Sequence, residues 1–261
     1  FTVIILVLGE LVKMTGKLLD AINSEPVLLI GMGAAGLLAM VTAITTGVWA
    51  SVRISIRRAG IHRRSAFSWW VINRLAFLVG ANNLAGFALY FLQERLGLEG
   101  ETAAQPASRL MMIIGLLILL CALPSGWLAD QVGRKRLVSI SGIMAASGTL
   151  IIVLAPNMSI IYAGGCIIGA ATGIFFTANW AMGTDLVPHG EAGYYLGISN
   201  LAGAGAGAIG GYISGPIADH FTSHTPESSG IGYVLIFALY GLLFLFSSFA
   251  ILQVPSDTPF Q

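Results

Sequence analysis

The residues able to do chemistry in this sequence are few, and their types and spacing suit binding rather than bond making. No nucleophile stands beside a general base, no glycine-rich loop precedes a phosphate-binding lysine, and no His-Glu-x-x-His string occurs, so no catalytic activity is expected. His220 and His224 have the four-residue spacing that can place two imidazoles on one helical face. Their surroundings, Phe221-Thr222-Ser223 and Thr225-Pro226, read instead as a solvated external loop, and neither a metal site nor a cofactor is predicted. Two polar groups stand out inside apolar stretches. Asn82 and Asn83 follow Gly80, a residue that lets a helix unwind and offer carbonyls, and Thr177, Asn179 and Trp180 form a second patch. Unpaired amides are costly in hydrocarbon, so the asparagines must face a cavity or another polar group. Asn82, Asn83 and Asn179 are thus hydrogen-bonding candidates toward a small solute and Trp180 a stacking one. The competing readings are interhelical hydrogen bonding for the amides and anchoring at the headgroups for Trp180.

The elements that must position these groups follow from composition. Hydrophobic residues make up 56% of the chain and charged ones 10%, against about 25% charged in a soluble domain. The formal net charge of +1 gives no footprint for nucleic acid. Cys121 and Cys166 lie in apolar stretches and read as small packing residues. A bilayer core about 30 Å thick takes about 20 apolar residues in helix, with the backbone satisfying its own hydrogen bonds. Seven stretches meet this requirement: Val27 to Val52, Phe67 to Leu92, Leu110 to Ala129, Leu137 to Ala155, Ile160 to Thr184, Tyr194 to Ile217 and Ile231 to Val254. Phe1 to Leu8 is too short to span and reads as the tail of a helix, so the chain is expected to be a fragment. Proline, glycine and charge punctuate every boundary, and the connections are short. The fold class is therefore an all-α polytopic membrane bundle.

Orientation follows from the retention of Lys and Arg on the cytoplasmic side. Alternating spans put Arg53, Arg57, Arg58, Arg63, Arg64, Arg74, Arg134, Lys135 and Arg136 at one end, against Lys13, Lys17, Arg95 and Arg109 at the other. The C-terminus is then cytoplasmic. Arg74 lies near that end, where snorkelling to the headgroups is expected. The 12 acids fall at span ends or in connections, so no carboxylate is placed to titrate near the midplane.

The connection Gly126-Trp127-Leu128-Ala129-Asp130-Gln131-Val132-Gly133-Arg134-Lys135-Arg136 is the most specific string. It must reverse a helix pair within one headgroup layer. Gly133 suits the positive φ of a tight turn, and Asp130 can pair with Arg134 or sit on a facing helix N-terminus. The string resembles the signature Gly-x-x-x-Asp-[Arg/Lys]-x-Gly-[Arg/Lys]-[Arg/Lys] of the major facilitator superfamily, departing from it at Gln131. That signature follows the second helix of the family and, in a weaker copy, the eighth. One span and a basic linker precede the span from Phe67, the signature follows the next span, and four spans come after it, which matches the second copy.

The resemblance implies helices six to twelve. Residues 1–52 would end the N-terminal half, 53–66 link the halves in the cytoplasm, 67–254 form the second six-helix half and 255–261 a tail. Asp185-Leu186-Val187-Pro188 resembles the loop after the tenth helix of sugar–cation symporters. Gly80-Ala81-Asn82-Asn83 with Tyr90 is similar to the seventh helix of sugar porters, without their paired glutamines upstream.

Gly203, Gly207, Gly211 and Gly215 recur every four residues, as a face for close helix packing requires. The resemblance implies that this face slides against the other half. The implied function is alternating-access transport of a small solute, first a sugar or glycoside and second a lipophilic drug-like compound. The lipid bilayer and the N-terminal half are the other partners, and any coupling carboxylate would lie in that half. A non-transporting membrane scaffold is the alternative from a different class.

Overall fold

In a computed structural model, the described residues are 2–22, 24–55, 61–98, 100–187, 190–224 and 230–255. Phe1, Arg57, Arg58, Pro188, Thr225, Pro226 and the tail from 256 onward, all named above, lie outside them. The described residues form nine α-helices: α1 (Thr2–Leu19), α2 (Glu25–Ser55), α3 (Ile61–Leu96), α4 (Glu101–Val132), α5 (Arg134–Leu154), α6 (Met158–Asp185), α7 (Ala192–Ala204), α8 (Ala206–His224) and α9 (Gly230–Leu252). Six of these, α2 to α6 and α9, are long and apolar enough to cross a membrane. The chain is an integral membrane protein, since apolar helices of this length satisfy their own backbone where water cannot.

Two expectations fail here. The helix expected only to Leu8 runs on to Leu19, because Ile5, Gly9, Val12 and Gly16 face inward at a helical period while Glu10, Lys13 and Lys17 stay exposed. The continuous helix expected over Tyr194 to Ile217 is two pieces that meet at Gly205. The surrounding Gly and Ala residues supply little side-chain packing to hold one rod together. A side chain from α3 holds the break: Asn83 Nδ2 donates to the Ala206 carbonyl at 3.0 Å and to its own Val79 carbonyl at 2.8 Å. Gly210 is the residue that leaves room for it, since a Cβ there would overlap the Asn83 amide.

α6 is packed between α4 and α5, and α3 and α9 pair along most of their length. The seam between α6 and α4 is built on Gly165, Gly169 and Gly173, one on each successive turn. A Cβ on Gly169 would lie 2.8 Å from the Ile114 carbonyl, one on Gly173 would overlap the Ile118 carbonyl, and one on Gly165 the Leu110 side chain. At Gly169 and Gly173 the backbones thus meet with no side chain between them. The stripe singled out in the sequence behaves differently. Gly203 lies on α7, and a Cβ on Gly207, Gly211 or Gly215 of α8 would meet nothing within 4 Å. Those glycines touch no side chain at this distance, and Gly211 and Gly215 open on a cavity shared with α1.

Candidate functional site

A buried polar cluster joins α3, α6 and α9. Trp70, Asn73, Arg74 and Phe77 share one face of α3 by their spacing, and all four are buried. Asn73 Nδ2 donates to the Ser247 carbonyl at 2.9 Å and to its hydroxyl at 2.8 Å, while Ser247 Oγ donates back to the Asn73 carbonyl at 3.0 Å. Asn179 Nδ2 donates to Asn73 Oδ1 at 2.8 Å, and Trp70 Nε1 donates to the Asn179 carbonyl at 3.2 Å. Gly183 admits the Trp70 ring. These bonds are mutually satisfying and inaccessible, so they fix the rotamer of Asn179 and aim its oxygen.

That oxygen meets a cation. Arg74 Nη1 donates to Asn179 Oδ1 at 3.3 Å, and Nη2 donates to Asn200 Oδ1 of α7 at 3.4 Å. The Trp180 ring covers the guanidinium, its centroid 4.3 Å from Cζ, and the Trp70 ring stands at 6.0 Å. Arg74 is 7% exposed, whereas Asn200 is exposed and Trp180 half-buried. The expectation that Arg74 snorkels to the headgroups is therefore wrong. Its stem points into the bundle because Asn179, Asn200 and Trp180 offer oxygens and a π face there.

The four residues predicted to touch solute do not converge. Asn179 and Trp180 join the Arg74 cluster. Asn82 and Asn83 lie eight and nine residues further along α3, about 12 to 14 Å deeper. Asn83 spends its amide hydrogens on backbone carbonyls at the Gly205 break. Asn82 is exposed and lines a cavity of about 370 Å³ between α3, α4 and α6, otherwise walled by groups such as Met111, Ile114, Thr172 and Phe176. Between the two levels Phe77 stacks on Phe175, with ring centroids 3.7 Å apart. Asn73, Asn200 and Ser247 were not picked out in the sequence. The signal available was the spacing of Trp70, Asn73, Arg74 and Phe77, which mixes polar and apolar types and so leaves no hydrophobic pattern.

The charged loop lies at another level. Gly133 takes φ 96°, and its N–H closes α4 onto the Ala129 carbonyl at 3.0 Å. Arg134 contacts Asp130 at 3.5 Å and Asp185 at 2.5 Å and donates to the Ala181 carbonyl at 2.9 Å, tying the loop to the end of α6. Lys135 donates to the Val254 carbonyl at 2.5 Å, adding the end of α9. Gly126 packs loosely, with Thr177 Cγ2 3.8 Å from where its Cβ would be. At the opposite end His220 is buried on α8, with Nε2 3.1 Å from Asp20 Oδ1. The solvated loop expected for it is wrong, because α1 continues far enough to cover this turn. Among the described residues no group of three metal-ligating side chains occurs.

Comparison with known proteins yields one matching family description. A profile described as Major Facilitator Superfamily matches residues 69–259. The minor myo-inositol transporter IolF of Bacillus subtilis is 33% identical over 88 residues, which are 34% of this chain and 20% of that protein. The glucose transporter GlcP of Staphylococcus epidermidis is 33% identical over 108 residues, 38% of this chain and 23% of that one. The multidrug resistance protein MdtG of Serratia proteamaculans is 30% identical over 161 residues, 61% of this chain and 38% of that one. The matched part thus spans well under half the length of each relative. No solved structure matches the chain.

Proposed function

The chain belongs to the major facilitator superfamily, and from that premise we propose that it supplies the second half, with the helix before it, of a secondary transporter for a small polar solute. The observation that carries this reading is the buried Arg74 cluster, which holds a cation, two amide oxygens and a tryptophan face at one level of the bundle. A membrane protein retains such a group at a cost of several kcal/mol only where it serves something polar. The transporters of inositol and glucose among the relatives support a hydroxyl-rich solute as the first class, and the multidrug protein supports an apolar one as the second. The N-terminal half of the same protein would close the cavity and meet the face of Gly207, Gly211 and Gly215. Rocking of the two halves would expose the site to either side in turn. Uptake by the full-length protein in proteoliposomes tests this. Saturable flux of a polyol or sugar supports it, and an absence of flux for every solute tried makes the protein a scaffold.

Within that scheme Trp180 stacks on solute and guanidinium together. Trp180→Ala is expected to raise the apparent Kd about tenfold, the equivalent of about 1.4 kcal/mol, with the melting temperature little changed. Equilibrium binding of a transported solute reads this directly.

The loop sets the conformational balance. Asp130 is 69% exposed and, among the described residues, is held by Arg134 alone, which keeps Asp185 when Asp130 is neutral. Its free oxygen is available to the N-terminus of a helix in the other half, an interaction that would close the cytoplasmic side. Asp130→Asn is therefore expected to shift the protein toward inward-facing by about 1 kcal/mol. Spin-label distances across the cytoplasmic ends of the halves would show a larger open population, and an unchanged distribution contradicts the role.

Asp185 has a structural partner in Arg134 and lies at the end of α6, so it does not change surroundings at the solute level. Asp185→Asn should leave ion-driven accumulation intact, as coupling by a carboxylate of the other half requires. Loss of accumulation with retained downhill exchange would place coupling in this half.

A further inference from the structure

We propose that Arg74 receives the carboxylate or phosphate group of an anionic solute, docked edge-on in the plane of its guanidinium. The inference rests on the transporter reading only in treating this anion as cargo. A guanidinium carries five N–H donors. In this cluster the two hydrogen bonds that Arg74 makes among the described residues, to Asn179 and Asn200, are long, and Nε has no partner although it is buried. Both acceptors are neutral amides, and none of the contacts of Arg74 among the described residues is a carboxylate. A buried cation without a counter-ion costs several kcal/mol, and neutral hydroxyls offset little of that.

Geometry narrows the occupant further. The Trp180 ring at 4.3 Å covers one face of the guanidinium, and its N–H donors, with the unpartnered Nε among them, lie along the edge. An Nε–H together with an Nη–H forms the fork that matches two oxygens of a planar carboxylate or of a phosphate. Exposed Asn200 and half-buried Trp180 mark the way in, and both present groups suited to the polyol or ring part of such a solute. The buried Asn73 and Ser247 pair behind Asn179 keeps this arrangement rigid before the solute arrives.

The test is protection of Arg74 from phenylglyoxal in the purified full-length protein, mapped by mass spectrometry, with exposed Arg95 as the internal control. The probes are inorganic phosphate, gluconate and glucose, at ionic strength matched with chloride. Phosphate and gluconate are each expected to slow modification of Arg74 about threefold or more, with glucose and chloride ineffective and Arg95 unaffected. Equal protection by glucose, or protection by none of the probes, overturns the proposal. An Arg74 that does not react under any condition overturns it too, because a carboxylate elsewhere in the full-length protein then holds the guanidinium. This readout needs no flux, so it fails separately from the uptake experiment.

Discussion

Arg74→Gln is expected to reduce uptake by the full-length protein at least about tenfold while leaving its folding intact. The two halves of this expectation have different physical sources. Glutamine keeps a donor for Asn179 Oδ1 or Asn200 Oδ1 but loses the charge, the fork and the stacking on Trp180. A solute held by those groups loses a charge-assisted bidentate contact, which is among the stronger single interactions available. Stability behaves otherwise, because a buried cation without a carboxylate already costs free energy and its removal relieves that cost. Arg74→Lys separates charge from shape: it keeps the cation without the fork and should recover part of the uptake. A melting temperature that falls together with uptake in both variants would reduce Arg74 to a structural residue.

The largest expected loss of stability is at Gly173. Leucine there must place a Cβ on the Ile118 carbonyl of α4, a backbone atom that moves only with its helix. Overpacking of a rigid seam costs about 1 to 3 kcal/mol in forgiving sites and more against backbone. Gly173→Leu is therefore expected to abolish monodisperse protein after detergent extraction. Gly207→Leu, at an equivalent glycine spacing but facing open space, should yield folded protein. Similar yields from both variants would contradict the seam. Gly207→Leu is also expected to impair transport if the other half packs there.

That contrast shows what the sequence could and could not reveal. Spans were legible because length, apolarity and the Pro and Gly punctuation are properties of the chain itself. The cap of α6 is one case, where Asn157 after Pro156 accepts from the Ile160 N–H at 3.1 Å. Azimuth was not legible. Both α6 and α8 carry glycines every fourth residue, and only their neighbours decide which set is pressed against a backbone. Arg74 was sent the wrong way around its helix, since a position along the chain does not say which way the side chain points. Asn83 and Gly210 are 127 residues apart in sequence and interlock at a helix break that neither announces alone. The loop from Gly126 to Arg136 was legible because its turn geometry and its Asp130–Arg134 pair are local. Its tie to Asp185 is not local, and pairing across helices had to come from the fold.

The most direct measurement of the central claim, that the Arg74 cluster opens to water in a conformational cycle, is thiol labelling at position 200. Asn200→Cys in a full-length background with Cys121 and Cys166 replaced by Ser puts one thiol at the exposed edge of the cluster. A membrane-impermeant maleimide is added to vesicles of either orientation. The expected result is labelling from the cytoplasmic side that accelerates when Asp130→Asn is introduced and slows when a transported solute is added. Labelling only by a membrane-permeant maleimide, at a rate indifferent to Asp130 and to solute, would place position 200 against lipid and contradict the account.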